Sequence, residues 1–263
     1  MNNTISVSHQ RFLKAIKNTK KLVIIIRIAI AVIILGGWEL LTRIDLMDSF
    51  IFSSPTRIVK AFIHLTTDGT IFKHTGITIC ETLICFVIVM GLGLIIAMLL
   101  WRFNILYKIL EPYLVLLNSL PKSALAPLLI VWFGNNMKTI IVAAVSVAVF
   151  GTILSIYTAF METEPDKIKL MTTLGSSKSQ TLSKLIIPQS LPSIINIMKV
   201  NLGLSLVGVI IGEFLAARQG LGYMIIYATQ TFKMDWVILS IAILALLSVG
   251  LYQIINIINR KFK

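Results

Sequence analysis

Charged side chains are scarce in this chain, and a few of them stand inside long apolar runs. A charge at the centre of a bilayer costs roughly 2.5 to 3.5 kcal/mol on insertion scales, so such residues are candidates for work on a solute or an ion. Glu81 follows "GITIC" and precedes "TLICFVIVM". It can contact a solute in a pathway or gate, or it can be an interface carboxylate paired with Lys or Arg close to the outer surface. Glu213 closes another apolar run, where it fits either an outer gate or a plain surface position. Asn118, Ser119 and Lys122 cluster around Pro121 in "LLNSLPKSALAP". Pro121 frees backbone carbonyls that protein or cavity water must satisfy. The Lys122 ammonium suits an anionic solute, or it can snorkel or pair with a Glu.

Other chemistries find little support. Cys80 and Cys85 lie five apart in one apolar run, a spacing that suits neither a tetrahedral metal site nor a local disulfide. They read as small apolar side chains. His9, His64 and His74 are scattered and form no ligand pattern, and no cofactor or metal is expected on the chain. "GSSKS" at 175–179 lacks the glycine spacing of a phosphate-binding loop, and no G-x-x-x-x-G-K-[ST] occurs. A membrane enzyme would need His, Asp or Glu clustered at one depth.

The elements that carry these residues are set by composition. Of 263 residues, 57% are hydrophobic and only 13% charged, against about 25% charged in soluble domains. Lipid is the expected solvent. Six stretches approach the roughly 20 apolar residues that a crossing helix needs: 22–42, 76–101, 106–133 with its break at "NSLPKSALAP", 138–160, 194–215 and 236–258. The first follows Arg11, Lys14, Lys17, Lys20 and Lys21, but it exceeds a signal-peptide core and no A-x-A-like site follows. It reads as an uncleaved helix, its basic leader resting on anionic inner-leaflet lipid.

The formal charge of +13 would suggest nucleic acid on a soluble protein. Here the basic residues sit between apolar runs, so topology explains them and no nucleic-acid partner is expected. With the N-terminus inside, the inner segments hold that leader plus Arg102, Lys108, Lys167, Lys169, Lys178, Lys184, Lys199, Arg260, Lys261 and Lys263. The outer segments hold Arg43, Arg57, Lys60, Lys73, Lys138, Arg218 and Lys233. Both termini are therefore expected in the cytoplasm by the positive-inside bias.

Residues 1–73 divide into the basic leader, the first crossing and a short outer helix. Ser54 can cap that helix, Pro55 suits its first turn and Asp68-Gly69 closes it. Residues 74–263 form the transmembrane core. Gly91, Gly93, Gly208 and Gly212 read as points of close helix packing. "GLG" at 220–222 reads as a tight outer turn.

The inner loop, 161–193, is strongly patterned. Pro165 and Asp166 suit a first helical turn. Ile168, Met171 and Leu174, with Leu170 beside them, make an apolar edge, and Gly175 stops the helix. A second helix then carries Leu182, Leu185 and Ile186, and Pro188 and Pro192 are expected to end it. An apolar edge on a cytoplasmic helix fits a protein partner or a lipid surface equally well.

This loop resembles the signature loop of binding-protein-dependent ABC importer permeases, E-A-A-x-x-x-G, nine residues, then I-x-L-P. Gly175 is followed by nine residues and then Leu185, Ile186, Ile187 and Pro188. Lys169, Leu170 and Met171 stand in the Glu-Ala-Ala places, a departure from the pattern. "LPKSALAPLLIVWFG" (120–134) and "GEFLAARQGLGYMI" (212–225) look like segments of the branch that imports nitrate, taurine and alkanesulfonates, to which pyrimidine and riboflavin permeases are similar.

The resemblance implies an all-α bacterial inner-membrane protein of six transmembrane helices with the MetI-like fold of type I ABC importers. It implies transport without catalysis. ATP would be used by a separate cytoplasmic ATPase dimer, docked on Ile168, Lys169, Leu170, Met171, Leu174, Gly175, Leu185, Ile187 and Pro188. It implies a second permease copy and an extracytoplasmic substrate-binding protein. An ion-coupled secondary transporter is the competing expectation. That would require paired acidic residues near mid-bilayer and an internal repeat, neither of which is clear in the sequence.

Overall fold

The computed structural model describes residues 7–261, and all of their regular structure is helical. Lys263 and the side chains of Arg11, Lys14, Lys20, Arg260 and Lys261, all counted above as inner charges, lie outside what is described. The chain divides into two compact units, Met1–Ile63 and His64–Lys263.

In the first unit, α1 (Val7–Arg43) exposes an apolar surface on all sides from Leu22 to Leu35, as a helix surrounded by lipid does. Its end is tied to the start of α3 (Pro55–Thr67) by Glu39, which accepts from Arg43 Nε at 2.8 Å and from Thr56 N at 3.1 Å. Between them lies the single turn α2 (Ser49–Phe52), capped by Asp48. The α3 helix begins as its sequence predicts, with Arg57 N donating to Ser54 Oγ at 3.4 Å and Pro55 in the first turn. Gly69 at φ 72° stops the chain before the next helix.

The second unit is built on α4 (Thr70–Arg102), α7 (Met137–Met161) and α10 (Ile187–Ala216). The α7 and α10 helices run antiparallel at nearly backbone contact. A Cβ on Gly208 would lie 2.8 Å from Ala144 Cα, and one on Gly212 would lie 2.9 Å from Ile140 Cγ2. Further along, Thr152 donates to Asn201 Oδ1 at 2.8 Å and Ser190 Oγ donates to Ala159 O at 3.0 Å. Gly93 brings α4 against Thr152 in the same way, but Gly91 has open space around it, so only one of that pair is a packing glycine. Gly208→Ala is therefore expected to destabilise the protein by about 1–3 kcal/mol through overpacking. Gly91→Ala should be neutral or stabilising, because Ala is about 1 kcal/mol the better helix former. Thermal unfolding in detergent measures both, and equal effects would contradict the packing assignment.

The third predicted crossing is made in two pieces, α5 (Asn104–Ser119) and α6 (Lys122–Phe133). Pro121 disfavours the helical region for the residue before it, and Leu120 accordingly sits at ψ 141°. Neither piece reaches the length of a crossing helix, so among the described residues five helices rather than six are individually long and apolar enough to span. Together α5 and α6 still run the length of the bundle. Tyr107 packs beside Tyr157, Asn118 fills the space over Gly151, and Ile130 reaches the cluster around Ile140 and Ala144.

The α12 helix (Met234–Lys261) returns antiparallel to α10, with Leu244 near Leu206 and Leu251 and Ile255 near Leu202 and Ile195. The short α11 (Leu221–Gln230) joins them. The end of α12 thus lies on the same side as the 161–193 loop. Lys199, expected on the inner side, stands well inside α10, its Nζ 5.9 Å from the Tyr252 ring.

Pro188 and Pro192 do not end a helix. The chain from Lys178 to Ala216 is helical throughout, as α9 (Lys178–Thr181), a π turn (Leu182–Ile186) and α10. Pro188 sits in the first turn of α10, immediately after the wider turn, where Ile187 N donates to Leu182 O. Proline removes a donor from the ladder, and a π turn is one way for a helix to absorb that loss without breaking.

Candidate functional site

At one end of the bundle the 161–193 loop folds into a compact cap. The α8 helix (Pro165–Thr173) has Pro165 at its first turn and Asp166 beside its N-terminus. It closes with two reciprocal bonds around Gly175 at φ 78°. Gly175 N donates to Thr172 O at 3.0 Å, and Ser176 N donates to Met171 O at 3.0 Å. This is the Schellman arrangement, which needs the left-handed residue that Gly supplies most easily. Ser177 then starts α9 with a capping box. Its Oγ accepts from Gln180 N at 3.3 Å, and Gln180 Oε1 accepts from Ser177 N at 2.8 Å. The density of Ser and Thr in this stretch is thus the chemistry of two helix ends placed back to back.

The apolar edge of α8 is divided between two environments. Ile168 is half-buried against the cluster that holds Phe160 and Ile186, and Met171 is also half-buried. Leu170 and Leu174 are 59% and 73% exposed, one turn apart on the open side, with Lys169 exposed beside them. Leu185 and Ile187 pack inward on the same cluster, so of the nine expected coupling residues these two and Ile168 anchor the loop. Pro188 is exposed.

At the opposite end, Glu81 and Glu213 are brought together. They are 2% and 1% exposed, so the surface readings of both are wrong. Their carboxyl groups are neighbours in the same packed end of the bundle. Glu213 lies in a closed nest. Thr78 Oγ1 donates to its Oε1 at 2.7 Å and Gly222 N donates to its Oε2 at 2.5 Å. Leu221 N in turn donates to Thr78 Oγ1 at 2.8 Å, and Gly220 N donates to His74 Nδ1 at 2.9 Å. Gly220, at φ 112°, curls directly over the Glu213 carboxyl, where any Cβ would overlap it. "GLG" is therefore half of a carboxylate site rather than a free turn. Glu81 Oε2 has no hydrogen-bond partner among the described residues, and Glu81 lines a cleft of about 300 Å³ shared with Asn135, Asn136, Arg218 and Gln219.

Asn118, Ser119 and Lys122 lie apart from this pair, at the break between α5 and α6. Ser119 Oγ donates back to Val115 O at 2.9 Å within α5, and Lys122 Nζ donates to Asn118 O, a carbonyl in the last turn that the broken helix leaves free. Asn201 was not foreseen. With Thr152 it forms a buried polar contact midway between the two ends, and an Asn within an apolar span was the available signal. The Glu81–Glu213 pair is the paired acid that sequence periodicity did not reveal. Its visible clue is Thr78, three residues before Glu81 and so on the same helix face.

Comparison with known proteins places this architecture. Residues 89–263 match the family described as the binding-protein-dependent transport system inner membrane component. A probable ABC transporter permease protein of Haemophilus influenzae is 28% identical over 232 residues, covering 88% of this chain and 93% of its own. The formylaminopyrimidine transport permease protein of Halalkalibacterium halodurans is 27% identical, covering 81% of this chain and 84% of its own. Among solved structures, an inward-facing MetNI methionine ABC transporter is similar in fold, with a TM-score of 0.63 at 19% identity, over 71% of this chain and 93% of that one. The helical bundle, the capped loop at one end and the matched segment agree, and the chain belongs to the family of binding-protein-dependent ABC importer permeases.

Proposed function

We propose that the loop 166–188 couples this permease to a separate cytoplasmic ATPase, and that α8 is the docking helix. The observation that carries this reading is the split of α8. Ile168 holds it to the bundle while Leu170 and Leu174 stand exposed on the other side. An exposed apolar pair on a helix fixed by its own caps is suited to a protein groove.

The loop side is then the cytoplasmic side. Lys167, Lys169, Lys178 and Lys184 on the loop support that orientation, and the end of α12 lies on the same face. The N-terminus is assigned there too, on its basic leader. Two copies of the chain would form the pathway, and an extracytoplasmic binding protein would deliver a small polar solute of the sulfonate, taurine, pyrimidine or riboflavin kind. The Glu81–Glu213 end is the outer end in this arrangement. Closure of the ATPase dimer would draw the two α8 helices together and turn the pathway outward. Chemistry on ATP belongs to the partner.

The test is mass spectrometry of what co-purifies with the tagged chain from gently solubilised membranes, followed by transport in liposomes. A P-loop ATPase in near-equal amount, together with uptake that requires ATP, is expected. Solute movement by this chain alone, with no ATPase, would replace the proposal with an ion-coupled transporter.

A further inference from the structure

We propose that the cleft walled by Glu81 is a solute contact site that takes an N–H donor (an ammonium, guanidinium or amino-heterocycle group) in preference to a bare oxyanion. The inference deepens the importer reading above and rests on it. Its first support is the unpartnered Oε2 of a Glu81 that is 2% exposed. Buried polar atoms without partners are rare, and one on a residue that lines a cleft invites a donor from outside the protein. The second support is that Glu213 is held elsewhere: it accepts from Thr78 and Gly222 and makes no bond to that atom. Adjacent carboxyls offer acceptor oxygens to N–H donors, and the charge they hold between them is negative, which disfavours sulfonate or nitrate oxygens at that wall.

The third support is the rest of the lining. Asn135 and Gln219 offer carboxamides and Arg218 a guanidinium, which suit the acceptor atoms of the same small solute, while Asn136 is engaged as the cap of α7. A volume of about 300 Å³ is at the lower end of small-molecule pockets, so one ring or a short zwitterion fits. The site lies at the end of the bundle away from α8, where a solute would arrive before crossing.

The test uses the wild-type permease in membranes with its ATPase. An apolar carbodiimide adds to accessible carboxyl groups, and mass spectrometry reads the extent of modification of the Glu81 peptide. Glu81 is expected to be modified, while Glu213 stays unmodified in its closed nest. Two N–H probes, an aminopyrimidine and methylguanidinium, are compared with two controls. One control is the same pyrimidine ring with methyl in place of the amino group, and the other is ethanesulfonate. Protection by either N–H probe supports the site, with modification slowed about tenfold when the probe is at roughly ten times its Kd. Equal protection by either control, protection by neither N–H probe, or no modification of Glu81 overturns it. ATPase co-purification from the same sample separates the two readings. Loss of the ATPase with protection intact would overturn the coupling proposal alone, and an attached ATPase without protection would overturn this site alone.

Discussion

Replacing Leu170 and Leu174 together by Asp is expected to strip the ATPase from the purified permease while leaving the chain folded in the membrane. Both side chains are largely exposed and neither is part of a buried cluster, so the folded protein loses little. In a docked complex each leucine would be buried, a contribution of about 1.5–3 kcal/mol apiece. Losing both weakens docking by at least about a hundredfold, since 1.4 kcal/mol is a factor of ten. Burial of two carboxylates adds to the loss. Co-purification quantified against the wild type is the measurement, with size-exclusion profiles to confirm folding. Full retention of the ATPase in this double variant would mean that α8 is not the docking surface. Ile168→Asp serves as a contrast. Because Ile168 packs on the core, it should damage the loop itself.

The second large effect is expected at Gly220. A Cβ there overlaps the Glu213 carboxyl, and φ 112° is a conformation that residues with side chains resist. Overpacking of about 1–3 kcal/mol adds to backbone strain of similar size. Gly220→Ala should therefore lower the thermal midpoint markedly and reduce the yield of monodisperse protein. Gly76→Ala, on α4 near the same end and with open space around it, is the control and should behave as wild type. Identical midpoints for the two variants would show that the nest around Glu213 does not hold α10, α11 and α4 together.

How far these features were legible differs from place to place. Apolar runs report burial in lipid directly, so the crossings were found, including the break at Pro121. The ends of α8 were legible because they are local, built from Pro165 and Gly175 within a few residues of the backbone they serve, whereas the Ser177 capping box of α9 emerged only from the structure. Pro188 misled because proline's local preference says break, whereas the π turn before it takes up the missing bond. The nest around Glu213 joins residues 135 positions apart, and no period along the chain encodes such a contact. Leu185 and Ile187 sit in a signature stretch, but only the packing reveals that they face inward.

The unbroken run from Lys178 to Ala216 has a mechanical consequence. Its 39 residues make a rod about 58 Å long at 1.5 Å per residue. One end is the foot on which α8 is mounted, and the other carries Glu213. A helix of that length, tilted as one body by about 10°, moves its far tip through about 10 Å. Had Pro188 cut the rod, the same push would have been lost in a hinge. With the widened turn at Leu182–Ile186 the helix passes Pro188 unbroken, so a push that the proposed partner gave to α8 would reach Glu213 through continuous helix.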